Sequence, residues 1–345
     1  MEVTLWGTRG SLATPGPETA RYGGNTSCVG VRGRAGTVLV HDAGTGIRRF
    51  AKTIPASVLR VDILLTHLHM DHILGLGFFG PLVIGIFGPR NKILGMDFAG
   101  VIEAVGEGVT RFKPGDEVFG LTGSKFGGHA EYVCLAEGAA IMPKPAGWSF
   151  EDAVALVFGG HTVSECIRRC PIKPGDEVLV NGASGAVGTA AVQVAKHFGA
   201  VVTGVCSAGN AELVRSLGAD HVIDYTKEDF ATSGKQYDVI FECVGNAPFE
   251  RVEAAIRPGG ALLLVILDLK GMLGARGNSR RSGKRVLAIS FKPKPEDVAF
   301  VVRLAEAGAL RPVIDRTYGL DEIVEAHRHV DTGRKRGNVV LRVAR

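Results

Sequence analysis

Two short stretches of the sequence carry residue types at spacings that do chemistry. One is Asn181-Gly182-Ala183-Ser184-Gly185-Ala186-Val187-Gly188, a glycine-rich string directly after an apolar segment. The other is Thr66-His67-Leu68-His69-Met70-Asp71-His72, which sets His67, His69, Asp71 and His72 within six residues. A glycine loop that opens a helix suits a phosphate, because the first amides of the helix and its dipole both face an anion. A run of imidazoles with a carboxylate suits zinc, whose ligands are nitrogen, oxygen and sulfur in tetrahedral array.

In the first stretch, Gly185 lets the backbone approach a pyrophosphate and Gly188 lets the helix pack against the strand. With Ser184, Ala186 and Val187 they form a dinucleotide cradle. A carboxylate about 20 residues beyond such a loop would bind the ribose 2′-hydroxyl of NAD and repel a 2′-phosphate. Here the next segment ends Gly204-Val205-Cys206-Ser207-Ala208-Gly209-Asn210, without an acid. Ser207 and Asn210 are neutral donors able to face phosphate, so NADP(H) is expected in preference to NAD(H). Asn210 also precedes a helix and is a good N-cap residue; both roles are compatible.

In the second stretch, His67 and His69 point the same way at a strand end, and Asp71 and His72 follow in the turn. A catalytic zinc needs about three protein ligands and an open water position. The later histidines, at 129, 161, 197, 221, 327 and 329, fall inside a different pattern. The site is therefore incomplete, and weak zinc binding is the expectation.

The elements that must position these residues alternate from about Lys173 onward. Glu177–Val180 reads as a strand, followed by a helix with Val187, Ala191, Val194 and Phe198 at helical spacing. Strands follow at Ala200–Cys206, His221–Tyr225, Asp238–Cys243 and Ala261–Leu267, with a helix over Asn210–Leu217. Single helices between strands predict right-handed crossovers and a parallel, doubly wound α/β sheet. Residues 91–150 read as short strands such as Glu131–Cys134 between Pro/Gly turns. Pro295–Ala307 and Leu320–Val330 read as helices, and Asn338–Val343 as a closing strand. The basic stretch Arg276–Arg285 reads as a solvated loop. Residues 1–88 are a third texture, with strands at Thr37–Val40 and Val61–Leu65.

Composition narrows the function classes. In 345 residues, 46% hydrophobic and 22% charged side chains exclude wholesale disorder. A net charge of +5 makes an anionic ligand comfortable, but no aromatic platform is interleaved with the basic stretch, so nucleic acid is not expected. Six scattered cysteines without a C-x-x-C pair indicate a reduced, cytoplasmic setting. No signal peptide is read at the start. The uncharged run Ile73–Pro89 is too short and too rich in glycine and proline to span a bilayer, so no membrane association is expected.

Residues 91–345 resemble the medium-chain dehydrogenases/reductases, nearest to the zinc-independent, quinone-oxidoreductase-like members. The matching stretches are Gly95-Met96-Asp97-Phe98-Ala99-Gly100, Gly127-Gly128-His129-Ala130-Glu131-Tyr132, Gly182–Gly188, His221–Tyr225 and Arg334-Lys335-Arg336-Gly337-Asn338. The resemblance implies a Rossmann domain over 151–292 and a partial GroES-like β domain over 91–150 that is completed by 293–345. It implies Tyr225 near the 2′-phosphate, with Cys243 and Val244 on the nicotinamide side. Where zinc-dependent members carry a His-Glu pair this chain has Met96-Asp97, and their four clustered cysteines are missing. What remains is hydride transfer from NADPH to a small quinone-like or α,β-unsaturated carbonyl substrate. Such relatives are commonly homodimers.

Residues 1–90 resemble a truncated metallo-β-lactamase fold, through Trp6–Gly10, Gly23-Gly24-Asn25-Thr26, His41–Gly46 and the histidine run. In intact members two metals activate a hydroxide for ester or amide hydrolysis. The dehydrogenase pattern starts at about Lys92, without the roughly 50 residues that supply polar pocket groups in that family. No catalytic residue is assigned. The alternatives to the reductase are a cofactor-binding chimera without turnover and a metal-dependent hydrolase.

Overall fold

The computed structural model describes the backbone of 2–7, 28–32, 37–41 and 60–64, and residues 93–266, 269–289 and 293–343. The chain divides into two compact units, Met1–Lys92 and Ile93–Arg345. In the first, β1 (Glu2–Gly7), β2 (Cys28–Arg32), β3 (Thr37–His41) and β4 (Arg60–Leu64) form a sheet in that order. β1, β2 and β3 pair antiparallel, and β3 and β4 pair parallel. His67, His69, Asp71 and His72 lie outside the described residues.

The second unit begins with an antiparallel sheet of β5 (Asp97–Val101), β6 (Glu117–Leu121) and β7 (Ala140–Pro143). Phe119 and Leu121 of β6 are buried against Ala153 and Val157. Those two residues belong to α1 (Phe150–Arg169), a helix capped by Ser149, whose Oγ accepts from the Asp152 amide at 3.0 Å. Glu131–Cys134 is not a strand. Its four residues are exposed, Tyr132 to 66%, and none of them pairs with a strand among the described residues.

The expected parallel sheet is present, with six strands in the order β10-β9-β8-β11-β12-β13. They are β8 (Glu177–Asn181), β9 (Val201–Cys206), β10 (His221–Asp224), β11 (Tyr237–Glu242), β12 (Ile256–Leu264) and β13 (Arg285–Ala288). The central strands are apolar along their length because both faces are covered. Val178 and Val180 of β8 join one core with Val187, Ala191 and Val194. Leu179, one residue out of phase, joins a second core with Ile240 and Leu262 on the opposite face. Helix α2 (Ala186–His197) follows β8, and α3 (Ala211–Ser216) follows β9 after a 3-10 turn. A short α4 (Phe249–Val252) follows β11.

The basic stretch is not the loop that its glycine, serine and asparagine content suggests. α5 (Leu269–Ser282) takes in its first seven residues, burying Ala275 just before them and exposing Arg276, Arg280 and Arg281, and Arg285 opens β13. Ser279 Oγ accepts from the Val286 amide at 2.8 Å and ties the helix to β13. Tertiary contact here overrides weak helix propensity. The chain then returns through α6 (Pro295–Glu306), β14 (Ile314–Gly319), α7 (Ile323–Asp331) and β15 (Asn338–Arg342). β14 and β15 pair parallel.

Candidate functional site

Strand order turns at β8. The chain runs from β8 outward to β9 and β10, then crosses to β11 on the other side. In open α/β sheets the crevice beyond the carboxyl ends of the strands at such a point is where ligands bind. The glycine string lies there, between β8 and α2.

Gly182 takes φ of +82°, which a side chain disfavours, and its carbonyl accepts from the Gly185 amide at 3.0 Å. Gly185 is the N-cap of α2, followed by Ala186, Val187 and Gly188 in the first turn. The amides of a first helical turn have no acceptor within the helix, so this one is suited to a pyrophosphate. Gly188 is the stricter of the later two glycines. A Cβ there would sit 2.1 Å from the Gly182 carbonyl oxygen and 2.8 Å from Ala183 Cα, whereas at Gly185 it would meet only the Gly182 oxygen, at 3.4 Å. Gly188→Ala is therefore expected to destabilise the protein by about 1–3 kcal/mol, as overpacking does, and Gly185→Ala to stay within about 1 kcal/mol of it. Urea-unfolding midpoints of the two variants check the order, and a smaller loss at Gly188 would refute the packing role.

The ends of β9 and β10 stand beside this loop. Asn210 does not cap α3 with its side chain; its Nδ2 reaches back to donate to Ser184 Oγ at 3.1 Å. Ser207 begins the 3-10 turn, its carbonyl accepting from the Asn210 amide at 2.9 Å. The Tyr225 amide donates to the Cys206 carbonyl at 3.2 Å, and its side chain is 63% exposed. Across β8, a Cβ on Gly182 would lie 2.7 Å from Val244 Cγ2 and 3.6 Å from Cys243 Cβ. Burial pushes the Cys243 thiol well above its ordinary range, which leaves it an apolar surface and not a nucleophile. The structure thus gathers Ser184 with Asn210 on one side of the loop, and Cys243 with Val244 on the other.

Sequence reasoning passed over Arg336. The turn before β15 docks on the loop, where the Gly337 amide donates to the Ser184 carbonyl at 2.8 Å and Gly337 bridges Gly185. Arg336 Nη2 donates to the Gly209 carbonyl at 3.1 Å. That contact sets a guanidinium beside the turn of Ser207 and Asn210. The signal was in the tail string Arg334–Asn338, but nothing local to it says which basic residue faces the loop.

At the Met96-Asp97 position, burial pushes the Asp97 carboxyl up to about 7, and its Oδ1 is sealed from solvent without a hydrogen bond among the described residues. His129 Nδ1 is also sealed without one; burial and the nearby His327 lower its pKa. Among the described residues no three His, Cys, Asp or Glu side chains converge as metal ligands. Methionine is a poor substitute for imidazole or thiolate on zinc, so the Met96-Asp97 pair does not fit that ion.

Two family models match the chain: an alcohol dehydrogenase GroES-like domain over residues 56–146 and a zinc-binding dehydrogenase over 217–341. The first reaches back past Lys92 and takes in the histidine run, and nothing in the comparisons supports a metallo-β-lactamase segment. A 2-methylene-furan-3-one reductase of Solanum lycopersicum is 34% identical, over 73% of this chain and 64% of its own length. The chain thus spans under two thirds of that relative. A chloroplast envelope quinone oxidoreductase homolog of Arabidopsis thaliana is 31% identical over 71% of this chain and 78% of its own. Among solved structures, the quinone oxidoreductase of Coxiella burnetii superimposes with a TM-score of 0.71 at 28% identity, covering 77% of this chain and 83% of that one. With the six-stranded parallel sheet and its glycine loop, these matches place the chain in the medium-chain dehydrogenase/reductase family, among its quinone-oxidoreductase-like members.

Proposed function

We propose that the protein is an NADPH-dependent reductase that delivers hydride to a small quinone-like or α,β-unsaturated carbonyl substrate. The observation that carries this reading is the convergence of Asn210, Ser184 and Arg336 on the loop and on the carboxyl end of β9, with no carboxylate in the Ser207–Asn210 turn. An acid at that turn would select the 2′-hydroxyl of NAD; neutral donors and a guanidinium select a phosphate.

Hydride is what the nicotinamide supplies when it is bound. The chain's residues do the rest. Ser184 to Gly188 hold the pyrophosphate at the start of α2. Ser207, Asn210, Tyr225 and Arg336 frame the 2′-phosphate. Cys243 and Val244 exclude water on the nicotinamide side. The substrate class follows from the relatives, whose names specify a quinone and a conjugated furanone. Both are acceptors polarised by their own carbonyl, which suits a site where Met96-Asp97 replaces a zinc-binding pair.

The test is a melting curve of the full chain with each nucleotide. NADPH at 100 times its Kd adds about 2.7 kcal/mol, which raises Tm by about 5 °C for a unit of this size. NADH at the same concentration is expected to give a smaller rise. No shift with either nucleotide would refute the reading.

A further inference from the structure

The crevice between β8 and β11 holds a buried carboxylate for which the proposed function gives no role. Glu242 ends β11 and stands in register opposite Asn181, the last residue of β8. Glu242 is 1% exposed and Asn181 4%. A carboxylate in such a place is costly unless donors fill its oxygens, and here they do. Glu242 Oε1 accepts from the amides of Val244 at 2.7 Å and Gly245 at 2.5 Å. Its Oε2 accepts from Asn181 Nδ2 at 2.8 Å, and the same Nδ2 donates to Asn246 Oδ1 at 2.8 Å.

These partners belong to the two walls of the crevice. Asn181 leads directly into the glycine loop, and residues 243–246 form the opposing turn. The walls touch where Val244 packs over Gly182. One carboxylate thus sets both the shape of the turn and its distance from the loop. The adenosine-side residues Ser207, Asn210 and Tyr225 lie across β8, at the ends of β9 and β10, and among the described residues the hydrogen bonds of Glu242 go to Asn181 and the 243–245 turn instead.

We propose that Glu242 is a positioning residue for the nicotinamide half of the cofactor, acting through its bond to Asn181 and its hold on the 243–245 turn. The inference rests on the nucleotide reading above, and the two fail in different ways. In Glu242→Gln the amide keeps one oxygen for the turn but points an NH2 group at the Asn181 NH2 group. In the double variant Asn181→Asp with Glu242→Gln, donor and acceptor are exchanged, the bond re-forms and the total charge is unchanged; the exposed Asn246 amide, which accepted from Asn181, turns over to donate its Nδ2 to the new carboxylate.

The experiment measures affinity of the full-length variants by calorimetry for two probes, NADPH and 2′,5′-ADP, which lacks the nicotinamide half. The fluorescence of bound NADPH supplies a second readout. Glu242→Gln is expected to weaken NADPH about tenfold or more, the scale of one buried hydrogen bond to a charged group. It should leave 2′,5′-ADP within about twofold and alter the fluorescence of bound NADPH. The double variant is expected to recover most of the loss. Unchanged NADPH affinity in Glu242→Gln overturns the proposal. Equal weakening of both probes overturns it too, because Glu242 would then be holding only the fold. Failure of the double variant to recover separates the loss from the Asn181 bond and overturns it likewise. Wild-type protein that binds neither probe refutes the nucleotide reading itself.

Discussion

Arg336→Gln is expected to weaken NADPH binding about tenfold or more while leaving NADH within about twofold. A hydrogen bond to a charged group is worth about 1.5–3 kcal/mol, or about 10–150-fold. Arg336 is exposed and solvent screens it, so the lower part of that range applies. Among the described residues the side chain makes one hydrogen bond, to the Gly209 carbonyl, so its removal should leave the melting temperature near that of the wild type. Arg336→Lys should fall between the two, because an ammonium keeps the charge but loses the planar fork that grips phosphate with two bonds. Ser207→Asp acts in the same direction by adding a negative charge to the turn. Calorimetric titration with both nucleotides reads the ratio. If it does not move in either variant, the 2′-phosphate is bound elsewhere.

The residues of that test illustrate what a sequence can show. The places of Ser207 and Asn210 were legible because the rule that locates them is local: they lie a fixed stretch beyond a glycine loop, at the end of the next strand; the phosphate role given to them is what the test decides. The parallel sheet was legible for the same reason, since strand, loop and helix recur with short connections from Glu177 to Leu264. Arg336 was not, because its place depends on a turn more than a hundred residues away docking on Ser184 and Gly209. Asn210 shows the intermediate case. Its type and position allowed a helix cap beside the phosphate-facing role, yet its side-chain amide reaches Ser184 of the glycine loop and makes no cap. α5 was misread because glycine, serine and asparagine favour a loop in isolation, and the Ser279 contact to β13 and the burial of Ala275 favour the helix.

Glu242 was hidden for a different reason. In the strand read as Asp238–Cys243, Glu242 is a charge one residue from the end, which is what a strand entering solvent looks like. The structure keeps that charge buried and fills its oxygens with donors from both walls of the crevice. A buried carboxylate at the end of a central strand is a costly arrangement, and its place at the switch point of the sheet connects that cost with ligand binding. His67, His69, Asp71 and His72 lie outside the described residues; the metallo-β-lactamase resemblance drawn partly from them has no support, and the GroES-like match runs through them.

The site as a whole depends on the return of the chain through α6, and Asp297 is where that return is secured. Asp297 is 1% exposed; its Oδ1 accepts from Ser164 Oγ at 3.0 Å and from Arg168 Nη1 at 2.8 Å. His161 Nδ1 lies 3.4 Å from Oδ2, which also accepts from the Lys294 amide at 3.2 Å. His161, Ser164 and Arg168 are on α1, so one carboxylate joins the helix that leads into the parallel sheet to the helix that leaves it. Val298 and Val301 of α6 pack on the same helix pair, and beyond them the chain reaches β14, β15 and the Gly337 contact with the loop. Asp297→Asn is expected to cost about 3 kcal/mol, the low end for breaking a buried ion pair, because Arg168 is 40% exposed and can regain water. Burial alone would raise the Asp297 pKa, but hydrogen bonds from His161 and Ser164 and the charges of His161 and Arg168 outweigh it and hold the carboxyl below its ordinary value. A carboxyl whose pKa is lower folded than unfolded gives stability that is present above the unfolded value, about 3.9, and is lost as pH falls through the folded one. The wild type should therefore lose more stability than Asp297→Asn between about pH 5 and pH 3, and the gap between the two unfolding free energies should narrow over that range. Chemical denaturation at a series of pH values measures the difference, and a gap that stays constant down to pH 3 would show that the carboxylate's charge plays no part.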